Sequence, residues 1–105
     1  MRISEAESVV MDVLWRRHTP QSAEDIIAAT APGQGWQEST VKTLLSRLLK
    51  KRAIAAERDG RRYLYRPLLK RSDYVHAESK NLLDRLYGGR VYALVAHFSQ
   101  RMKLT

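Results

Sequence analysis

Between residues 41 and 49 the apolar side chains fall at Val41, Leu44, Leu45, Leu48 and Leu49, the cleanest helical stripe in the sequence. That spacing lines them along one side of a helix and leaves the other side to Ser39, Lys42, Thr43, Ser46, Arg47 and Lys50. The polar side consists of hydrogen-bond donors, half of them cationic, and no acid interrupts it. The pattern predicts a helix from Glu38 to Lys51 whose apolar side must be covered by other elements. The period then changes at once. Ile54 to Arg58, the pair Asp59-Gly60, and Arg61 to Pro67 read as two strands around a turn, because Asp and Gly both tolerate positive φ. Arg58, Arg61 and Arg62 edge the tip of this ribbon, and Pro67, which cannot donate to a ladder, closes it.

Two shorter helices precede this segment. Ser4 followed by Glu7 is a capping-box pattern, and Ala6, Val9, Val10, Val13 and Leu14 recur at helical spacing, so a helix is expected from Glu5 to Arg17. Thr19-Pro20 breaks it. Ser22 with Asp25 caps a second helix that buries Ala23, Ile26 and Ile27 and ends near Thr30, ahead of a loop at Ala31-Pro32-Gly33-Gln34-Gly35. Two more helices follow the ribbon. Ser72-Asp73 opens one with Tyr74, Val75, Leu82, Leu83, Leu86 and Tyr87; Gly88-Gly89 stops it, and Arg90 to Met102 carries Val91, Leu94, Val95, Phe98 and Met102 on one stripe. Neither has much core beside it, so both are expected to bury their stripes against a second copy of the chain, as a homodimer.

The net charge of +8 is unevenly spread: residues 1–30 sum to −2, residues 31–71 to +8 and residues 72–105 to +2. An excess confined to the reader helix and ribbon points to a polyanionic partner, nucleic acid first. With no cysteine there is no disulfide framework and no thiolate metal site. No apolar run approaches the ~20 residues of a membrane-spanning helix, and the first residues lack the order of a signal peptide, so a cytoplasmic protein is expected. His18, His76 and His97 are too scattered for ligand spacing, and Ser4 and Ser22 read as caps with no base beside them. Glu5 and Glu7, like Glu24 and Asp25, sit in first helical turns, where the dipole favours acids. Neither an enzyme nor a cofactor is expected. Trp15 and Trp36 are expected in the core, and Tyr63 and Tyr65 beneath the ribbon.

Three helices followed by a hairpin is the order of a winged helix-turn-helix, with the third helix as reader and the ribbon as wing. The fold class is therefore mainly α with a small β-hairpin. A winged-helix DNA-binding domain is expected over residues 1–70, and a C-terminal helical dimerisation region over residues 71–105. The reader face can enter a DNA major groove, and the wing arginines can lie on the adjacent backbone or minor groove. An RNA-binding or ribosome-associated basic module, and a protein-interaction adaptor kept soluble by its charge, are the other readings of the same face.

The residues also resemble the penicillinase repressor family of bacterial transcriptional regulators, the BlaI/MecI/CopY type. Ile3-Ser4-Glu5-Ala6-Glu7 with Val10 to Trp15 is similar to its opening helix; Trp36 with Ser39 to Leu48 resembles its recognition helix; Asp59 to Pro67 resembles its wing. Tyr74, Ser79, Leu83 and Tyr87-Gly88-Gly89 fall in its dimerisation region. The resemblance implies a dimeric repressor on a dyad-symmetric operator, controlling β-lactamase or other resistance genes. It implies DNA contacts from Ser39, Thr40, Lys42, Thr43, Ser46, Arg47 and Lys50, with Thr43 among the base readers. It also implies induction through a membrane sensor and cleavage in the dimerisation region at an Asn-Phe bond, for which this chain has His97-Phe98. Gln37 stands where the family usually has a serine, and the absent cysteines disfavour copper sensing. Family chains continue after a segment like Lys103-Leu104-Thr105 into one more helix, so the resemblance also implies a shortened chain.

Overall fold

The first helix, α1 (Glu5–Arg16), begins where the sequence sets a serine three residues ahead of a glutamate. Ser4 Oγ accepts from the Glu7 N–H at 3.1 Å and the Ser4 N–H donates to Glu7 Oε1 at 2.8 Å, so the capping box is complete in both directions. Ser22 and Asp25 repeat the device at 3.1 and 3.3 Å to start α2 (Ala23–Gln34). The computed structural model describes residues 1–102. Its other elements are β1 (Gln21–Ser22), α3 (Glu38–Lys50), β2 (Ile54–Asp59), β3 (Arg62–Pro67), α4 (Arg71–Tyr87) and α5 (Val91–Met102). They form two compact units, divided in the sequence between Lys70 and Arg71.

In the first unit α1, α2 and α3 close around Val10, Met11, Ile26, Val41 and Leu48, all fully buried, and Ile54 at the base of β2 seals the core from the sheet side. The sheet is antiparallel in the order β1-β3-β2. Its short first strand was not legible from periodicity. Gln21 and Ser22 become a strand because Tyr65 and Leu64 of β3 pair with them, an edge contact that two residues with no alternation cannot announce.

Several expectations need correction. The second helix does not end near Thr30; it runs through Pro32 and Gly33 to Gln34. Proline in that last turn forgoes one bond, to the carbonyl of Ala28, which is at the surface where water can replace it. The helix stops at Gly35 instead, whose φ of 70° is the left-handed conformation that glycine adopts without strain. The hairpin turn lies one residue later than Asp59-Gly60. Asp59 pairs with Arg62, so Gly60 and Arg61 are the central residues, and only Gly60 has positive φ. Leu49, placed on the buried stripe by its spacing, is 36% exposed, and Tyr63, expected under the wing, is 51% exposed. Trp15 and Trp36 are half-buried at the edge of the core rather than inside it. The Trp15 indole N–H donates to the carbonyl of Leu69 at 2.9 Å, fastening the end of the first unit to α1.

In the second unit α4 and α5 pack on each other, and neither has a buried residue. Tyr74, Leu83, Tyr87 and Leu94 are half-covered, while Val75, Leu82, Leu86, Val91, Val95 and Phe98 are exposed. His97 stands between two rings, its centroid 6.2 Å from that of Tyr87 and 5.4 Å from that of Phe98. Among the described residues no helix is long and apolar enough to cross a membrane. The segment Lys103-Leu104-Thr105 lies outside the described residues.

Candidate nucleic-acid interface

Burying Val41, Leu44, Leu45 and Leu48 turns the opposite side of α3 outward. Ser39, Lys42, Thr43, Ser46, Arg47 and Lys50 are all exposed there, and Thr40 is half-buried at the margin. One donor on this face is already used: Thr43 Oγ1 donates to the Ser39 carbonyl at 3.0 Å. Thr43 therefore has its γ-methyl group and its oxygen lone pairs left to offer, a chemistry suited to an apolar methyl or to an amine donor. The helix starts without a side-chain cap, because Gln37 makes no capping bond. It ends with Arg52 at φ 61°, where the Ala53 N–H donates to the Leu48 carbonyl and the Arg52 N–H to the Leu49 carbonyl, both at 3.0 Å. This is the helix-ending pattern usually served by glycine, held here by an arginine.

The end of α3 is also tied to the start of the chain. Lys51 Nζ lies 2.6 Å from Glu7 Oε1 and donates to the Arg2 carbonyl at 2.9 Å. Glu7 is 1% exposed. Burial by itself pushes its carboxyl up, yet the hydrogen bond from Lys51 and the backbone and hydroxyl donors of Ser4 outweigh that cost. The group titrates below the ordinary glutamate range. Glu7 Oε2 has no hydrogen-bond partner among the described residues. The sequence marks Glu7 as a capping-box acid in a first helical turn, and nothing in that pattern reports that the capping side chain will be covered.

The wing presents three arginines at its exposed tip. Arg58 Nε donates to the Gly60 carbonyl at 3.1 Å, Arg62 pairs with Asp59 at 3.4 Å, and Arg61 lies in the turn between them. Further down, Arg66 pairs with Glu57 at 3.0 Å. At the start of α2, Asp25 titrates low because the Ser22 hydroxyl and backbone N–H bond to it, with Arg62 and Arg17 adding a weaker attraction. The Arg62–Asp59 and Arg66–Glu57 pairs are exposed, where an isolated salt bridge contributes little to stability and exchanges readily for a phosphate. Among the described residues no group of His, Asp and Glu is arranged to hold a metal ion.

The family model described as penicillinase repressor matches residues 3–105. The chain belongs to the penicillinase repressor family. It is 33% identical over 104 residues to the penicillinase repressor of Bacillus licheniformis, covering 99% of this chain and 80% of that protein. It is 33% identical over 103 residues to the methicillin resistance regulatory protein MecI of Staphylococcus aureus, covering 98% and 83%. The solution structure of the monomeric form of Bacillus licheniformis BlaI with the blaP half-operator superposes with a TM-score of 0.61 at 34% identity, over 70% of this chain and 89% of that one. Penicillinase repressor family members are transcriptional repressors, not enzymes.

Proposed function

We propose that this repressor binds as a homodimer to a dyad-symmetric operator and controls genes of β-lactam resistance. The observation that carries the DNA reading is the acid-free, exposed face of α3 on a fold whose BlaI relative is known bound to a half-operator. Ser39, Thr40, Lys42, Thr43, Ser46, Arg47 and Lys50 form the major-groove surface, with Thr43 reading bases, and Arg58, Arg61 and Arg62 meet the flanking backbone or minor groove. The names penicillinase repressor and methicillin resistance regulatory protein, carried by relatives at 33% identity, support the class of target gene.

The exposed stripe of α4 and α5 supports dimerisation through residues 71–105, since a contiguous apolar surface on a small unit is covered by a partner or becomes a site of aggregation. Induction follows from proteolysis in that region, triggered by a membrane sensor, with His97-Phe98 as the bond in the place of the family's Asn-Phe pair. Competition between duplex DNA and RNA tests the nucleic-acid class. The chain is titrated by fluorescence anisotropy with a duplex it has itself selected from a random pool, a scrambled duplex of equal length and a hairpin RNA. A preference of ~10³-fold for the selected duplex is the expected result. Equal, steeply salt-dependent binding to all three would leave only general polyanion affinity and defeat the reading.

A further inference from the structure

Where α1 ends, beside the last residues of β3, the surface folds into a concavity of about 340 Å³ whose lining comes wholly from the first unit. It shares no residue with α3 or with the tip of the wing. Its volume is at the small end of ligand-sized concavities. The walls are apolar: Leu14 and Trp15 from the last turn of α1, Pro20 from the loop that follows, and Pro67 at the end of β3. The polar groups are Arg17, His18, Thr19 and Arg66, and no acid stands among the described residues that line it. Arg17 is held in place by a covered neighbour. Gln21 is 7% exposed, and its Oε1 accepts from Arg17 Nη1 at 3.0 Å. Its Nε2 donates to the Thr19 carbonyl at 2.9 Å, with Thr19 Oγ1 and the Pro20 carbonyl also in reach at 3.2 and 3.3 Å, so the loop is wound around this amide. Arg66 is restrained in turn by Glu57, which accepts from its Nε at 3.0 Å. Neither bond uses more than part of a guanidinium that carries five donors.

We infer that this concavity binds a small monocarboxylate with an apolar ring, its carboxylate taken by the Arg17 and Arg66 guanidiniums and its ring by Leu14, Trp15 and the two prolines. The inference is independent of the DNA-binding reading. Guanidinium forks match the two oxygens of a carboxylate, and an arginine already oriented by Gln21 loses less freedom when it binds one. The prolines have no rotamers to order, so the apolar wall is also set beforehand. A single charge on the ligand follows from α1, whose negative end borders the same concavity and opposes a dianion such as phosphate more than a monoanion. The assignment also accounts for an amide at position 21, a covered place where an apolar side chain would need no hydrogen-bond partners.

The test follows the full, isotope-labelled chain by heteronuclear NMR during titration with sodium benzoate at constant ionic strength. Benzamide, which keeps the ring without the charge, and acetate, which keeps the charge without the ring, are titrated beside it. Benzoate is expected to shift the Trp15 indole N–H and the Arg17, His18 and Thr19 amides with a Kd of ~1–10 mM, the range open to so small a ligand. Benzamide and acetate should each bind at least ~10-fold more weakly, since each forgoes one of the two contacts. R17A and R66A, both at exposed positions, should lower benzoate affinity at least ~5-fold while the rest of the spectrum stays in place. R17K, which keeps the charge and loses the fork, should weaken binding as well. Shifts centred on the Thr43 and Arg47 amides, or equal shifts with acetate and benzoate, would mean general anion binding by the basic surface and would overturn the inference. So would a Trp15 indole N–H that benzoate leaves in place, or a benzoate affinity unchanged in R17A and R66A.

Discussion

Glu7 and Lys51 are unequal partners. The carboxylate is buried and the ammonium is about a third exposed, so the two ways of breaking the pair leave different remainders. Lys51→Met strands an ionised group in a covered site and is expected to cost of the order of 3 kcal/mol in urea unfolding. Glu7→Gln leaves a lysine that can turn to water and is expected to cost ~1–2 kcal/mol. The pH dependence follows from the same contacts. Because folding lowers the Glu7 pKa, the stabilisation is fully present above the ordinary glutamate value of about 4.3 and is lost as the pH falls through the lower, folded-state value. Unfolding curves from pH 7 down to pH 3 should show the gap between wild type and Glu7→Gln closing only at the acid end. A gap constant across that range would mean that folding leaves the Glu7 pKa at its unfolded value.

At the scale of elements the reader helix is the one whose start is under-supplied. α1 and α2 each open on a serine with a reciprocal cap, but α3 opens on Gln37, whose side chain makes no capping bond. Gln37→Ser supplies a hydroxyl that can accept from the N–H groups of the first turn and should stabilise the first unit by about 0.5–1 kcal/mol, read as a higher urea midpoint at unchanged slope. This weakness, like most of the architecture, was legible in the sequence, because helices and hairpins announce themselves through periodicity, serine caps and the Asp-Gly pair. What escaped had nonlocal causes. β1 exists only because β3 pairs with it, and α2 outruns its proline because the surface tolerates one missing bond. Tyr63 was expected beneath the wing, yet it pairs with Arg58 one residue from the hairpin tip and stands exposed there. The reader residues were legible for the opposite reason: exposure on the far side of an apolar stripe is a local property. Which of them look toward the wing depends on where β3 lies, and spacing alone does not report that.

The whole molecule joins a unit with a sealed core to a unit that seals nothing. In α4 and α5 every described residue keeps at least part of its surface in water, with Leu86 at 60% and Phe98 at 44% exposure. If a second copy covers this face, affinity for a dyad operator contains a term that no reader residue supplies. Once one half-site is held, the other binds at the effective concentration set by the dimer, a gain of ~10²–10⁴ over a single half-site. Leu86→Glu combined with Phe98→Glu sets two charges on the proposed seam without touching α3 or the wing. The double variant should sediment as a monomer at micromolar concentration, lose at least ~100-fold in affinity for the full dyad duplex, and bind an isolated half-site as the wild type does. That last comparison separates the cause from general damage, since an unfolded first unit would lose both. Cleavage after His97 should reproduce the variant, because it severs α5 in its middle and removes Phe98 from the stripe. A cleaved chain that still held the full dyad with wild-type affinity would place repression in the first unit alone and leave the second without a role in induction.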